Sequence, residues 1–279
     1  MIKSAQFPGN VFASKEELFS ELRANADKII SCKTSEIYKS IEKGIHVIGF
    51  FNRTTVDETK AGPHMKDGYC YPVINTTKYL DSHDDVHLDG IWNKSAKEQN
   101  GKLFYVADHE IKTSSIIAWP ADVNVMVKSV PWAWVGKDYS GNTEALIYEI
   151  NKSSIVNPTA KDIIENKRPV QGSVRMQYVK VSLALNSMAK EDVQYKANWD
   201  KWIGDIANAD VAHEQGYFFA VEEAKIIKEG SMVPFGSNDA TPIQQRKDVA
   251  GTTTTEDKEP AGPATQKESI FKNFSITKK

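Results

Sequence analysis

Hydrophobic positions change their period along the chain. Near the front, Leu18, Phe19, Leu22, Ala26, Ile29 and Ile30 recur at three- and four-residue spacing behind Ser14-Lys15-Glu16-Glu17, the pattern of an amphipathic helix opened by a capping box. A second short helix is predicted over 34–43, with Gly44 as its stop. From residue 45 the apolar runs become short and β-rich, at 45–51, 69–74, 102–107, 123–130, 145–150, 170–185 and 217–221 with a continuation toward Val233. A turn-forming stretch at 137–142 and helical runs near 158–166 and 188–214 separate them. This order predicts an α+β fold, with a β-barrel or strongly curved sheet and flanking helices, and argues against a doubly wound parallel sheet.

Past Thr241 the periodicity disappears into a Thr/Pro/Gly-rich stretch over 251–263, and apolar side chains return only at Ile270, Phe271 and Phe274. The chain therefore divides into an N-terminal helical segment (1–44), a main domain (45–243) and a flexible tail (244–279). Trp119, Trp132 and Trp134 cluster around Val123, Val125 and Val127, a texture that reads as core more readily than as a binding platform.

Composition narrows the functional classes. The chain has 279 residues with 40% hydrophobic content, enough for a sizeable core, and a net charge of -2 from 35 basic and 37 acidic residues. That balance gives no bulk field for nucleic acid or an anionic membrane, so neither is an expected partner. Two cysteines, Cys32 and Cys70, are too few for a disulfide framework and point to a reducing compartment. The opening 1–9 lacks the apolar run of a signal peptide, so export by a cleaved signal is not expected, and no run reaches membrane-span length.

Three stretches could carry chemistry. In Val170-Gln171-Gly172-Ser173-Val174-Arg175-Met176, a serine beside a glycine opens a strand-like run, and the small neighbour lets a carbonyl approach the backbone closely. Ser173 is the candidate nucleophile, with Ser182 a rival. In Asp81-Ser82-His83-Asp84-Asp85, the imidazole of His83 can accept a proton near neutral pH. An alternative is a metal site from His83 and His87, which would share a face if the stretch were helical. Glu229 closes an apolar run and could accept the second imidazole proton and fix the tautomer.

The order histidine, serine, glutamate resembles the prohead proteases of tailed bacteriophages, serine peptidases that mature capsids and are related in fold to herpesvirus assemblins. Glu229-Gly230-Ser231-Met232-Val233-Pro234-Phe235-Gly236-Ser237-Asn238 is similar to that family's Glu-Val-Ser-Leu-Val-x-x-Pro-Ala-Asn ending. Gly172-Ser173-Val174-Arg175 resembles its Gly-x-Ser-Ile-Gly stretch, and Ser82-His83-Asp84 its Asn-His-Asp stretch. Gly230 stands where an apolar residue is usual, Arg175 where glycine is common, and the helical insert 188–214 separates serine from glutamate.

The resemblance covers roughly 45–243 and implies an assemblin-like core and a serine endopeptidase. Its catalytic residues would be Ser173, His83 and Glu229, with Gly172 and Arg175 as oxyanion candidates. If relatives with a second histidine are the better guide, His87 or His109 would replace Glu229. The substrates implied are the major capsid protein's delta region and the scaffold, inside an assembling prohead in the host cytoplasm. Self-cleavage and self-association would accompany them, and no cofactor is implied. The rival readings are a non-enzymatic capsid-assembly or scaffold protein on a protease-derived fold, and a metal-dependent hydrolase using His83 and His87.

Overall fold

The computed structural model describes residues 1–35, 37–39 and 63–245. The strand expected at 45–51 and residues 246–279 of the tail expected over 244–279 lie outside the described residues; Gln244, at the start of that tail, is instead buried and paired in register with Tyr71. Helix α1 (Lys15–Ala24) is capped as predicted: the Ser14 side chain accepts from Glu17 N–H, and Leu18, Phe19 and Leu22 are buried. The apolar periodicity continues past Asn25 into a separate helix, α2 (Ala26–Ser35). The helix expected over 34–43 is corrected at its described residues: Thr34 and Ser35 end α2, and 37–39 are extended. Residues Ile37–Lys39 form strand β1, where Ile37 and Tyr38, good strand formers, pair with a neighbouring edge that overrides local helix preference.

The remaining strands are β2 (Tyr69–Thr76), β3 (Asp85–His87), β4 (Phe104–Ala107), β5 (Ile116–Ala118), β6 (Val123–Pro131), β7 (Asn142–Asn151), β8 (Gln171–Leu185), β9 (Tyr217–Val233) and β10 (Ile243–Gln244). Between them lie helices α3 (Asn93–Gln99), α4 (Pro158–Glu165), α5 (Val193–Trp202) and α6 (Ala209–Gln215). They build two sheets. The larger has the order β1-β8-β9-β4-β5 with β3 also on β9, and the smaller has the order β10-β2-β7-β6. The fold is α+β, and the described residues form no closed barrel.

The antiparallel pair β8·β9 is the spine, and β3 and β4 join β9 in parallel. The main core lies between the sheets, with Cys70, Ile74, Leu146 and Tyr148 from the small sheet meeting Tyr105, Val174, Met176, Ile226 and Met232 from the large one. Trp132 and Trp134 are buried in a second cluster with Tyr71, Val73 and Val130, as the core reading expects. Trp119 is half exposed and packs on Phe104.

Candidate active site

Ser173 sits near the start of β8, paired across the ladder with Ser231 of β9. Its neighbour Gly172 marks where the two sheets touch. A Cβ at Gly172 would lie 1.9 Å from the Val73 carbonyl oxygen of β2, so only glycine allows this approach. Beyond Ser173 the register slips: Val174 pairs with Gly230, but Met176 pairs with Ile226. Strand β9 therefore carries extra residues, and Lys228 within them has a left-handed φ of 66°. This bulge re-aims the side chain that follows it, Glu229.

The third group comes from the end of β4. Asp108 (φ 54°) and His109 (φ 56°) are consecutive left-handed residues, a conformation that costs non-glycine residues energy and persists only when surroundings hold it. Here Asp108 N–H donates to Met232 O at 2.9 Å and Glu110 N–H to Ala107 O at 3.0 Å. His109 N–H donates to Ser231 Oγ at 2.9 Å, and that hydroxyl donates to Val106 O at 3.1 Å.

The turn aims the imidazole between the other two groups. His109 Nε2 is 2.8 Å from Ser173 Oγ, and His109 Nδ1 is 2.8 Å from Glu229 Oε1. With Nδ1–H donating to the carboxylate, Nε2 is left as an acceptor for the serine hydroxyl, the arrangement that activates a nucleophile. Ser173 is 2% exposed, and His109 and Glu229 are 0% exposed.

Two of the three expected catalytic residues, Ser173 and Glu229, are thus brought together, and His83 is not the histidine between them. Its neighbour Asp85 pairs with Phe219, which in turn pairs with Leu183. Ten residues of β8 separate Leu183 from Ser173, on the order of 30 Å at about 3.3 Å per residue. The carbonyl of His83 instead accepts from Lys33 Nζ and Gln6 Nε2.

The acidic run around His83 is structural in this fold. Asp85 is paired with the buried Lys33 at 2.6 Å and accepts from Tyr178 OH, and Asp84 accepts from Tyr217 OH and Gln6. Burial raises the carboxyl pKa values of Asp81 and Asp84, with the Asp85 charge adding to both shifts.

His87 is on β3, not on a helix, and shares no helical face with His83. Its ring nitrogens lie 3.0 Å from Asn75 Oδ1 and 3.1 Å from Tyr178 OH. Among the described residues no group of three His, Cys, Asp or Glu is arranged to hold a metal ion. Ser182 donates to Glu222 Oε1 at 2.9 Å and lies outside the Ser173 constellation.

The oxyanion expectations also change. Gly172 N–H already donates to Thr241 O at 2.7 Å. Because antiparallel partners alternate between bonded and non-bonded pairs, an outward Gly172 N–H turns the Ser173 amide toward β9. Arg175 reaches the opposite end of the constellation: its Nη2 donates to His109 O at 3.2 Å, and its Nε is 3.4 Å from Glu229 Oε1.

The sequence offers His109 only as a substitute for Glu229. The signal that could have pointed to it is a histidine two residues after the β-rich run 102–107, upstream of the serine.

Comparison with protein-family models, with curated proteins and with solved structures finds no match to this chain.

Proposed function

We propose that this protein is a serine endopeptidase in which Ser173 is the nucleophile, His109 the general base and Glu229 the group that orients it. The observation that carries this reading is the unbroken chain Ser173 Oγ–His109 Nε2 and His109 Nδ1–Glu229 Oε1, both links at 2.8 Å. As Ser173 Oγ attacks a peptide carbonyl, its proton passes to Nε2, and the imidazolium formed is stabilised by the Glu229 carboxylate. The same proton is then delivered to the leaving amine, and water repeats the sequence on the acyl-enzyme.

The order His109, Ser173, Glu229 keeps the histidine–serine–glutamate order of the prohead proteases. It supports the narrower proposal of a capsid-maturation enzyme with an assemblin-like α+β core, cleaving scaffold and major capsid protein inside an assembling prohead. Self-cleavage and self-association belong to the same proposal.

One observation favours the second reading, a non-enzymatic capsid-assembly protein on a protease-derived fold: Ser173 is only 2% exposed, so a substrate must first displace its cover. A fluorophosphonate probe together with cleavage of co-expressed capsid and scaffold protein decides between them. The enzyme reading expects labelling and cleavage that Ser173→Ala and His109→Ala abolish and His83→Ala retains. A folded parent that neither labels nor cleaves leaves the assembly reading standing.

A further inference from the structure

We infer that Arg175 is a positioning residue that supplies the counter-charge for Glu229 and ties it to the His109 turn, and is not an oxyanion donor at Ser173. The kinetic consequences rest on the serine-peptidase reading, whereas the charge pairing does not. Glu229 is 0% exposed and its hydrogen-bonded partner is an imidazole. A carboxylate shut away from water beside a neutral ring is strongly disfavoured unless a cation faces it.

Among the described residues, Arg175 is the one Lys or Arg within 4 Å of that carboxylate, with Nε 3.4 Å from Oε1. Neither Arg175 Nε nor Glu229 Oε2 has a hydrogen-bond partner among the described atoms. The contact between the two side chains is therefore one of charge at 3.4 Å and not a hydrogen bond.

The other end of the guanidinium fixes the base. Nη2 holds the carbonyl of His109 itself, the residue whose left-handed backbone needs support. One planar cation therefore spans the carboxylate and the main chain of the base, a task suited to the rigid fork of arginine and not to the point charge of lysine.

The charges also balance through the reaction. With the carboxylate ionised and the imidazole neutral, as general-base action requires, the Arg175 guanidinium brings the cluster to zero net charge. When the Oγ–carbon bond forms, the carbonyl electron pair moves onto oxygen and the Ser173 proton moves to Nε2, so one new cation accompanies one new anion. The enclosed cluster keeps zero net charge in both states, and the imidazolium forms beside a carboxylate that was ionised beforehand.

The test is a double-mutant cycle of Arg175→Met and Glu229→Gln, read in peptide cleavage and in unfolding. Arg175→Met is expected to lower kcat by about 10²-fold, comparable to loss of one preorganised polar group, with KM little changed. Arg175→Lys should restore only part of the rate.

The double variant should be no slower than Glu229→Gln alone. Two losses that multiply would place Arg175 elsewhere in the mechanism and overturn the inference. In unfolding at neutral pH, Glu229→Gln should recover most of the stability lost in Arg175→Met, and additive losses would overturn the pairing even if the parent proved inactive. Failure of the parent to label with a fluorophosphonate would instead remove the peptidase reading, with the unfolding cycle still deciding the pair.

Discussion

The backbone N–H of His109 donates to the hydroxyl of Ser231 at 2.9 Å, so the residue paired with the candidate nucleophile also holds the candidate base in place. Ser231 has 0% exposure, and its own hydroxyl donates to Val106 O at 3.1 Å. Ser231→Ala should strand a buried N–H and cost about 1–3 kcal/mol of stability. Cleavage should fall through kcat, since the imidazole loses its aim. Denaturant unfolding and steady-state kinetics on one preparation check both, and a variant with parental kcat would show that the turn holds without the hydroxyl.

Gly172→Ala should be among the most damaging single changes. The added methyl would sit 1.9 Å from Val73 O and 2.8 Å from Val73 C, backbone atoms that cannot rotate away, so β2 and β8 must separate. A loss of about 3 kcal/mol or more is expected, at or beyond the upper range for overpacking. Urea unfolding measures it, and an unchanged midpoint would contradict the close sheet contact.

His87 gives a pH test with a defined sign. Burial lowers its pKa to about 4, with the nearby Lys33 and His83 acting in the same direction and Asp85 opposing. A histidine kept neutral by the fold stabilises it fully above the unfolded value of about 6.5, and that stabilisation is lost as pH falls toward 4. The change amounts to about 3 kcal/mol. Asp81 and Asp84, raised by burial, act in the opposite sense, so the parent is best compared with His87→Gln. The parent's advantage over that variant should shrink between pH 7 and pH 4, and a constant difference would show that His87 does not titrate as described.

The two thiols should differ sharply. Cys70 is buried between the sheets and its pKa is pushed up to about 12, whereas Cys32 is exposed on α2. Since the thiolate is the reactive form, an aromatic disulfide reagent should modify Cys32 alone in the native protein and both cysteines after unfolding. Equal native rates would place Cys70 at the surface.

Long strands were readable from sequence because Tyr69–Thr76, Asn142–Asn151, Gln171–Leu185 and Tyr217–Val233 are dense in β-branched and aromatic residues. The short strands were not: Asp85–His87 lies in a polar run, and its fit depends on pairing with β9. That same run explains the misplaced histidine. Three aspartates around His83 look like a solvated catalytic turn, yet Lys33 and Tyr217, distant in sequence, convert them into a buried polar network.

Ser173 was legible through its glycine, and Glu229 through the apolar run that precedes it. His109 was obscured because two successive left-handed residues leave no periodic trace, and their support comes from Ser231 and Met232 more than a hundred positions away.

The bulge and ladder around Glu229 also bear on motion. Ser173, Arg175, Glu229 and Ser231 all belong to the β8·β9 pair, and His109 hangs from β9 by main-chain donors. The main chain at these positions cannot move aside without unpairing the spine, so solvent isotope should enter the amides of Ser173 and His109 only when the whole domain opens.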